Sequence, residues 1–294
     1  NYDFFKFNDA ISLRNKVKEL SNKGGVYAVI IEPYSATLLD SCSDEFIEEL
    51  VALKKEYKFS IICDEVYCAW YKCGKLFYFK TFKNFEPDII TLSKAMGGGK
   101  SSISAYVTND DNYEKVYGSI ETALLHSTTY NGFAEECITA IEAINILIDE
   151  RFDLKVKELE DYINLKLKKI QEKYPNKIKS YRGKGSLFGI EFYSFLDYVN
   201  ILVDKIPFKT IQDKKKLISK LNIATISSEL YSKHNILSNV SESDNSDYLY
   251  VTPSIIVSKE DVDYFFSSLE KVLNSKIDIK VLQYIFSSFI NLIK

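Results

Sequence analysis

Apolar and polar positions alternate along the chain in two rhythms. Residues 9–22 (DAISLRNKVKELSN) carry apolar side chains at helical spacing and run into Gly24-Gly25, a helix with its stop. VYAVIIEP (26–33) is a continuous apolar run closed by proline, the pattern of a strand buried on both faces. Ser43, with Glu45 and Glu48, opens a helix that continues to about Tyr57. FSIICDEV (59–66), DIITLSK (88–94) and ISAYVTN (103–109) predict three further strands. Strands alternating with helices imply a mostly parallel sheet covered by helices.

The rhythm changes after about residue 130. Residues 133–172 read as one long helical pattern with a kink near Phe152. RGKGSLFGIEF (182–192) reads as a turn and a strand, 208–220 as helix, and YLYVTPSIIV (248–257) as strand. SKEDVDYFFSSLEKVLNS (258–275) predicts a helix capped by Ser258, with acidic residues at 260, 261 and 263. The tail 276–294 places apolar residues at 282, 285, 286, 289, 290 and 293, one helical stripe. SESDNSD (241–247) is loop-like, and no internal repeat is visible. The pattern gives an α/β domain over 1–145, a smaller α+β domain over 146–275 and a helical tail.

Composition narrows the function classes. The 294 residues carry 38 Lys+Arg and 41 Asp+Glu, a net charge of −3, which argues against a general nucleic-acid binder. No run of 18 apolar residues exists to span a membrane, and Asp3, Lys6 and Asp9 break the first apolar cluster, against a signal peptide. The two histidines, His126 and His234, lie far apart, so no His-rich metal site is expected. Five cysteines without a C-x-x-C pair point to a reducing, cytoplasmic setting. The single methionine is Met96, so the chain reads as trimmed, or as a piece of something longer.

Candidate chemistry lies at strand ends, where parallel α/β sheets bind ligands. Asp64 and Glu65 end one strand; Ser93 and Lys94 end the next, followed by Gly97, Gly98 and Gly99. Taken singly, Asp64 reads as a loop cap and Lys94 as a solvated lysine. Together they meet the needs of a pyridoxal-phosphate enzyme, which bonds its cofactor to a lysine and pairs the pyridinium nitrogen with an acid. GGGKS (97–101) is not a phosphate loop, because G-x-x-x-x-G-K-[ST] would require glycine at the position of Lys94. HSTTYNG (126–132) offers hydroxyls ahead of the long helix, for a phosphate or for ordinary capping by Ser127, Thr128 or Asn131.

The stretch IICDEVYCAWYKCGKLFYFKTFKNFEPDIITLSKAMGGG (61–99) resembles the signature of the class III aminotransferases, pyridoxal-phosphate enzymes of fold type I. AVIIEP, HSTTYNGFAEEC and RGKGSLFGIEF resemble further blocks of that family, so the resemblance spans about residues 9–275. It implies a mostly parallel large domain with flanking helices and a smaller C-terminal α+β domain. It also implies pyridoxal 5'-phosphate as cofactor, held by Lys94 and Asp64, with Val66, Tyr67, Thr128 and Thr129 around it. Lys94 would form the Schiff base and move the substrate proton, Asp64 would hold the pyridinium, and Thr129 would reach the phosphate of a neighbouring subunit. Glu32 and Glu65 are further candidates.

Three departures matter. Tyr67 stands where the family usually has glutamine near the cofactor's phenolic oxygen. Tyr250 stands where many members have a carboxylate-binding arginine, which favours amine or aldehyde substrates over α-amino acids. The family's preceding stretch of one to two hundred residues, with its cofactor cup, is not visible. The resemblance therefore implies transamination between an amine or amino acid and a keto or aldehyde acceptor. The alternatives are a racemase, aminomutase or lyase on the same cofactor, or a non-catalytic half that needs a partner chain. It further implies a homodimer or larger assembly, with a missing N-terminal segment or second chain covering an otherwise bare sheet edge. No nucleic acid or membrane partner is expected, and the tail is expected to pack on the protein.

Overall fold

The computed structural model describes residues 2–193, 211–241, 247–275 and 279. It divides into two compact units, Asn1–Ala36 with Asp40–Val156, and Thr37–Leu39 with Lys157–Lys294.

In the first unit, helix α1 (Ala10–Ser21) starts where the Asp9 carboxylate accepts the Ser12 N–H at 2.9 Å, and it buries Leu13 and Val17. Helix α2 (Asp44–Tyr57) starts at Ser43, whose hydroxyl accepts the Phe46 N–H, and it ends at left-handed Lys58. Its buried face carries Phe46, Ile47, Leu50 and Leu53. Strands β1 (Ala28–Ile31), β4 (Ser60–Asp64), β5 (Ile89–Leu92) and β6 (Ala105–Thr108) form one sheet in the order β1-β4-β5-β6. The first three are parallel, and β6 runs antiparallel to β5. Two short strands, β2 (Tyr34–Ser35) and β3 (Asp40–Ser41), pair beside it.

The expected strands buried on both faces are corrected here. β1 is an edge strand: Val29 and Ile31 are buried while Ile30 is 62% exposed. β4 alternates between buried and half-buried positions. An unbroken apolar run cannot report which neighbours a strand has, and among the described residues β1 has one.

The expected continuous helix over 133–172 is two helices, α4 (Ala134–Asp149) and α5 (Phe152–Lys173). The break falls at Arg151, which adopts φ 54°. The division between the units falls within α5, after Val156.

The second unit carries an antiparallel sheet of β7 (Ile178–Lys184), β8 (Leu187–Phe192) and β9 (Leu249–Val251). Arg182-Gly183-Lys184, read as turn, belongs to β7; the turn itself is Gly185-Ser186. The strand read over 248–257 shortens to three residues, because the chain turns where the Val257 N–H donates to the Ser254 carbonyl. Helix α6 (Ile211–His234) runs well past residue 220, and α7 (Lys259–Asn274) starts at the expected Ser258 cap. The core joins Ile163 and Leu167 of α5, Phe188 and Ile190 of β8, Ile226 and Leu230 of α6, and Phe266 and Leu269 of α7. Gly189 is required by closeness: a Cβ there would lie 2.3 Å from Leu39 Cδ1. The tail expected over 276–294 lies outside the described residues except Ile279, as does most of the polar stretch 241–247.

Candidate active site

The carboxyl ends of three parallel strands meet along one edge of the first sheet. β1 leads into Glu32, β4 ends in Asp64, and β5 leads through Ser93 into Lys94. The register pairs Asp64 with Thr91. Asp64 Oδ1 accepts the Val66 N–H at 3.0 Å and the Thr91 hydroxyl at 3.2 Å. Both bonds fall on one oxygen, which leaves Oδ2 to accept from a ligand. The capping reading of Asp64 is met by Oδ1, and Oδ2 accepts no hydrogen bond among the described residues. Val66 contributes its backbone rather than its side chain.

Lys94 adopts φ 50°, a left-handed conformation that costs a non-glycine residue energy and concentrates at functional sites. A single 3-10 turn, Lys94–Gly97, follows. The Lys94 side chain is exposed, and its Nζ lies over the Tyr67 ring, 4.6 Å from the centroid. Tyr67 is half-buried, and burial raises its phenol above the ordinary tyrosine value. Beyond the turn, Gly98 (φ 60°) is pressed by α4, since a Cβ there would come within 2.9 Å of Ala143 Cβ. The glycine run is therefore a tight turn with close packing and opens no helix for a phosphate.

Glu32 is half-buried, and its Oε2 accepts the Ala36 N–H at 2.9 Å. Its carboxyl is raised above the ordinary value, chiefly by burial and further by the Asp64 charge; the Ala36 bond and Lys94 oppose this. Glu32, Asp64 and Lys94 thus share one electrostatic environment. Glu65 does not join them. It is fully buried and accepts the Tyr78 and Phe79 N–H groups at 3.0 and 2.6 Å and the Cys68 thiol at 3.1 Å.

Thr128 and Thr129 lie on an exposed turn before α4. Among the described residues no hydrogen bond joins either side chain to Asp64 or Lys94. The helix-capping reading of this segment fails: α4 is preceded by Phe133, with no side-chain cap from Ser127, Thr128 or Asn131. Thr91 was missed by sequence reasoning, because only the strand register sets it beside Asp64. Tyr250 sits on β9 with its hydroxyl donating to the Thr37 carbonyl at 3.4 Å. A cavity of about 650 Å³ lies within the second unit between residues 234–239 and α7. No group of His, Cys, Asp and Glu able to hold a metal occurs among the described residues, and no helix there is long and apolar enough to cross a membrane.

Residues 5–273 match the family model described as aminotransferase class-III. Among solved structures, ornithine delta-aminotransferase of Plasmodium falciparum is 23% identical with a TM-score of 0.66, over 92% of this chain and 60% of that one. A transaminase from the marine bacterium Virgibacillus is 18% identical with a TM-score of 0.72, over 94% and 57%. An (S)-enantioselective omega-transaminase from Thermomicrobium roseum is 19% identical with a TM-score of 0.72, over 91% and 55%. At these identities the likeness establishes the fold, mixed α/β of fold type I. The chain spans about three fifths of the length of these structures.

Proposed function

The chain belongs to the class III aminotransferases, and from that premise we propose that it carries the lysine and aspartate of a pyridoxal-phosphate-dependent transaminase. The observation that carries this reading is the strand-end pair: Asp64, steadied through Oδ1 by Thr91, with Lys94 at the end of the adjacent strand. The donor set fits pyridoxal 5'-phosphate, because Asp64 Oδ2 is left for a pyridinium N–H and Lys94 offers a primary amine. Bound there, the cofactor would supply an aldehyde for Lys94 and an electron-withdrawing ring. Asp64 Oδ2 would accept the ring nitrogen's N–H. Lys94 Nζ would take a proton from the substrate carbon and deliver it to the cofactor's C4′ carbon.

The substrates we assign are an amine or amino acid as donor and a keto or aldehyde compound as acceptor. A tyrosine at position 250 supplies no guanidinium clamp for a carboxylate, which favours simple amines and aldehydes. We assign the functional form to a homodimer or larger assembly, completed by a second copy or further chain. Thr128 and Thr129, exposed on their turn, are then available to a phosphate in the neighbouring subunit. Four buried cysteine thiols suit a reducing compartment, and we place the protein in the cytoplasm.

The test is an absorbance spectrum with pyridoxal phosphate before and after borohydride, with Lys94→Ala alongside. The expected result is a visible band, lost on reduction with the label fixed at Lys94 and absent in the variant. A band that survives in Lys94→Ala would sink the assignment.

A further inference from the structure

We propose that Tyr67 is a positioning residue that works through the face of its ring, holding the Lys94 ammonium at the strand ends. One carboxylate, Glu32, lies within electrostatic reach of that ammonium, and Asp64 ends the adjacent strand. Among the described residues, however, Lys94 Nζ forms neither an ion pair nor a hydrogen bond. Its recorded partner is the aromatic ring, 4.6 Å from Nζ to centroid. The negative face of an aromatic ring attracts a cation without binding its N–H groups in a fixed direction. An amine held this way breaks no directional bond when it turns to react. An ion pair with Glu32 or Asp64 would consume the acceptor and tie the nitrogen down.

The residues on either side of Tyr67 are held. Val66, one residue before it, donates its N–H to Asp64 Oδ1, and Cys68, one residue after it, donates its thiol to buried Glu65. The contact does not use the hydroxyl, which has no hydrogen bond among the described residues. Lys94 in turn reaches the ring from a left-handed backbone, so its orientation is set by the chain as well as by the contact. The hold on the amine stands on geometry alone. Its consequence for capturing a carbonyl compound rests on the function proposed above.

The experiment is competitive acetylation of the chain with trace acetic anhydride, without added cofactor, read peptide by peptide. The Lys94 rate is expressed as a ratio to that of Lys72, which is half-buried near Tyr67 in sequence and reports on the same segment. Wild type is compared with Tyr67→Phe, Tyr67→Leu and Tyr67→Gln. Loss of the ring should raise the Lys94 ratio about two- to five-fold in the Leu and Gln variants, as expected for one cation–π contact at an exposed site. Tyr67→Phe, which keeps the ring, should stay within about 1.5-fold of wild type on the same scale. An equal rise in Tyr67→Phe would assign the role to the hydroxyl and overturn the proposal, as would an unchanged ratio in all three variants. Binding of pyridoxal phosphate to the same four chains separates the two claims. If none binds while the acetylation pattern holds, the proposed function fails and the positioning role stands.

Discussion

Asp64 and Glu65 are neighbours in sequence with opposite tasks, because successive side chains at a strand end leave on opposite sides. Asp64 turns toward Thr91 and is bonded through one oxygen; Glu65 turns inward and gathers two backbone N–H groups and a thiol. Asp64 and Lys94 were legible in the sequence because their residue types follow two strand patterns. Thr91 and the Tyr67 ring contact were not, since the first depends on register and the second on a turn that returns one side chain over another. The same turn holds Lys72, whose ammonium burial pushes down to about 8 from 10.5. Between those two values the unfolded chain binds more protons at this site than the fold does. Stability therefore rises with pH across that window, and the penalty is constant below it, where both states are charged. Lys72→Met should flatten this slope, removing about 1–3 kcal/mol of pH dependence in urea midpoints taken at either end of the window. An unchanged slope would mean that the ammonium is solvated.

At the scale of elements, ends were read better than interiors. The caps at Ser43 and Ser258 were legible, because a short polar side chain before an apolar period has a direct mechanism, whereas the Asp9 cap was not read. The Ser258 hydroxyl accepts the Asp261 N–H at 3.0 Å and donates to the Asp261 carboxylate at 2.7 Å. Ser258→Ala should cost about 1 kcal/mol, seen as a lower denaturation midpoint, while Ser267→Ala on the exposed side of the same helix should not. The break between α4 and α5 was placed near Phe152 but read as a kink. Neither glycine nor proline marks it, and the left-handed turn falls on Arg151, whose residue type gives no warning. β1 was misread for a related reason. Its apolar run is real, but half of it faces outward from an edge.

At the scale of the whole molecule, the outward half of β1 belongs to a wider set of uncovered apolar positions in the first unit. Ile138 (66% exposed), Ile141 (58%) and Ile148 (47%) recur at helical spacing along one stripe of α4, and Val107 is half exposed on β6 at the other edge of the sheet. Such a stripe fits a surface that is covered in the working form. Light scattering should return a mass of at least two chains, and Ile138→Glu with Ile141→Glu should reduce it to one. A single-chain mass for the unaltered protein would remove the proposed homo-oligomer. Strand order was not legible in the sequence, because register and neighbours are long-range facts. One further consequence follows from the strand ends. Glu32, Asp64, Tyr67, Thr91 and Lys94 all fall within the unbroken stretch from residue 28 to residue 94. Genetic exchange with single crossovers outside that stretch would carry the whole arrangement in one piece, so these five residues are inherited together, while the flanking segments that decide what reaches them are free to be traded.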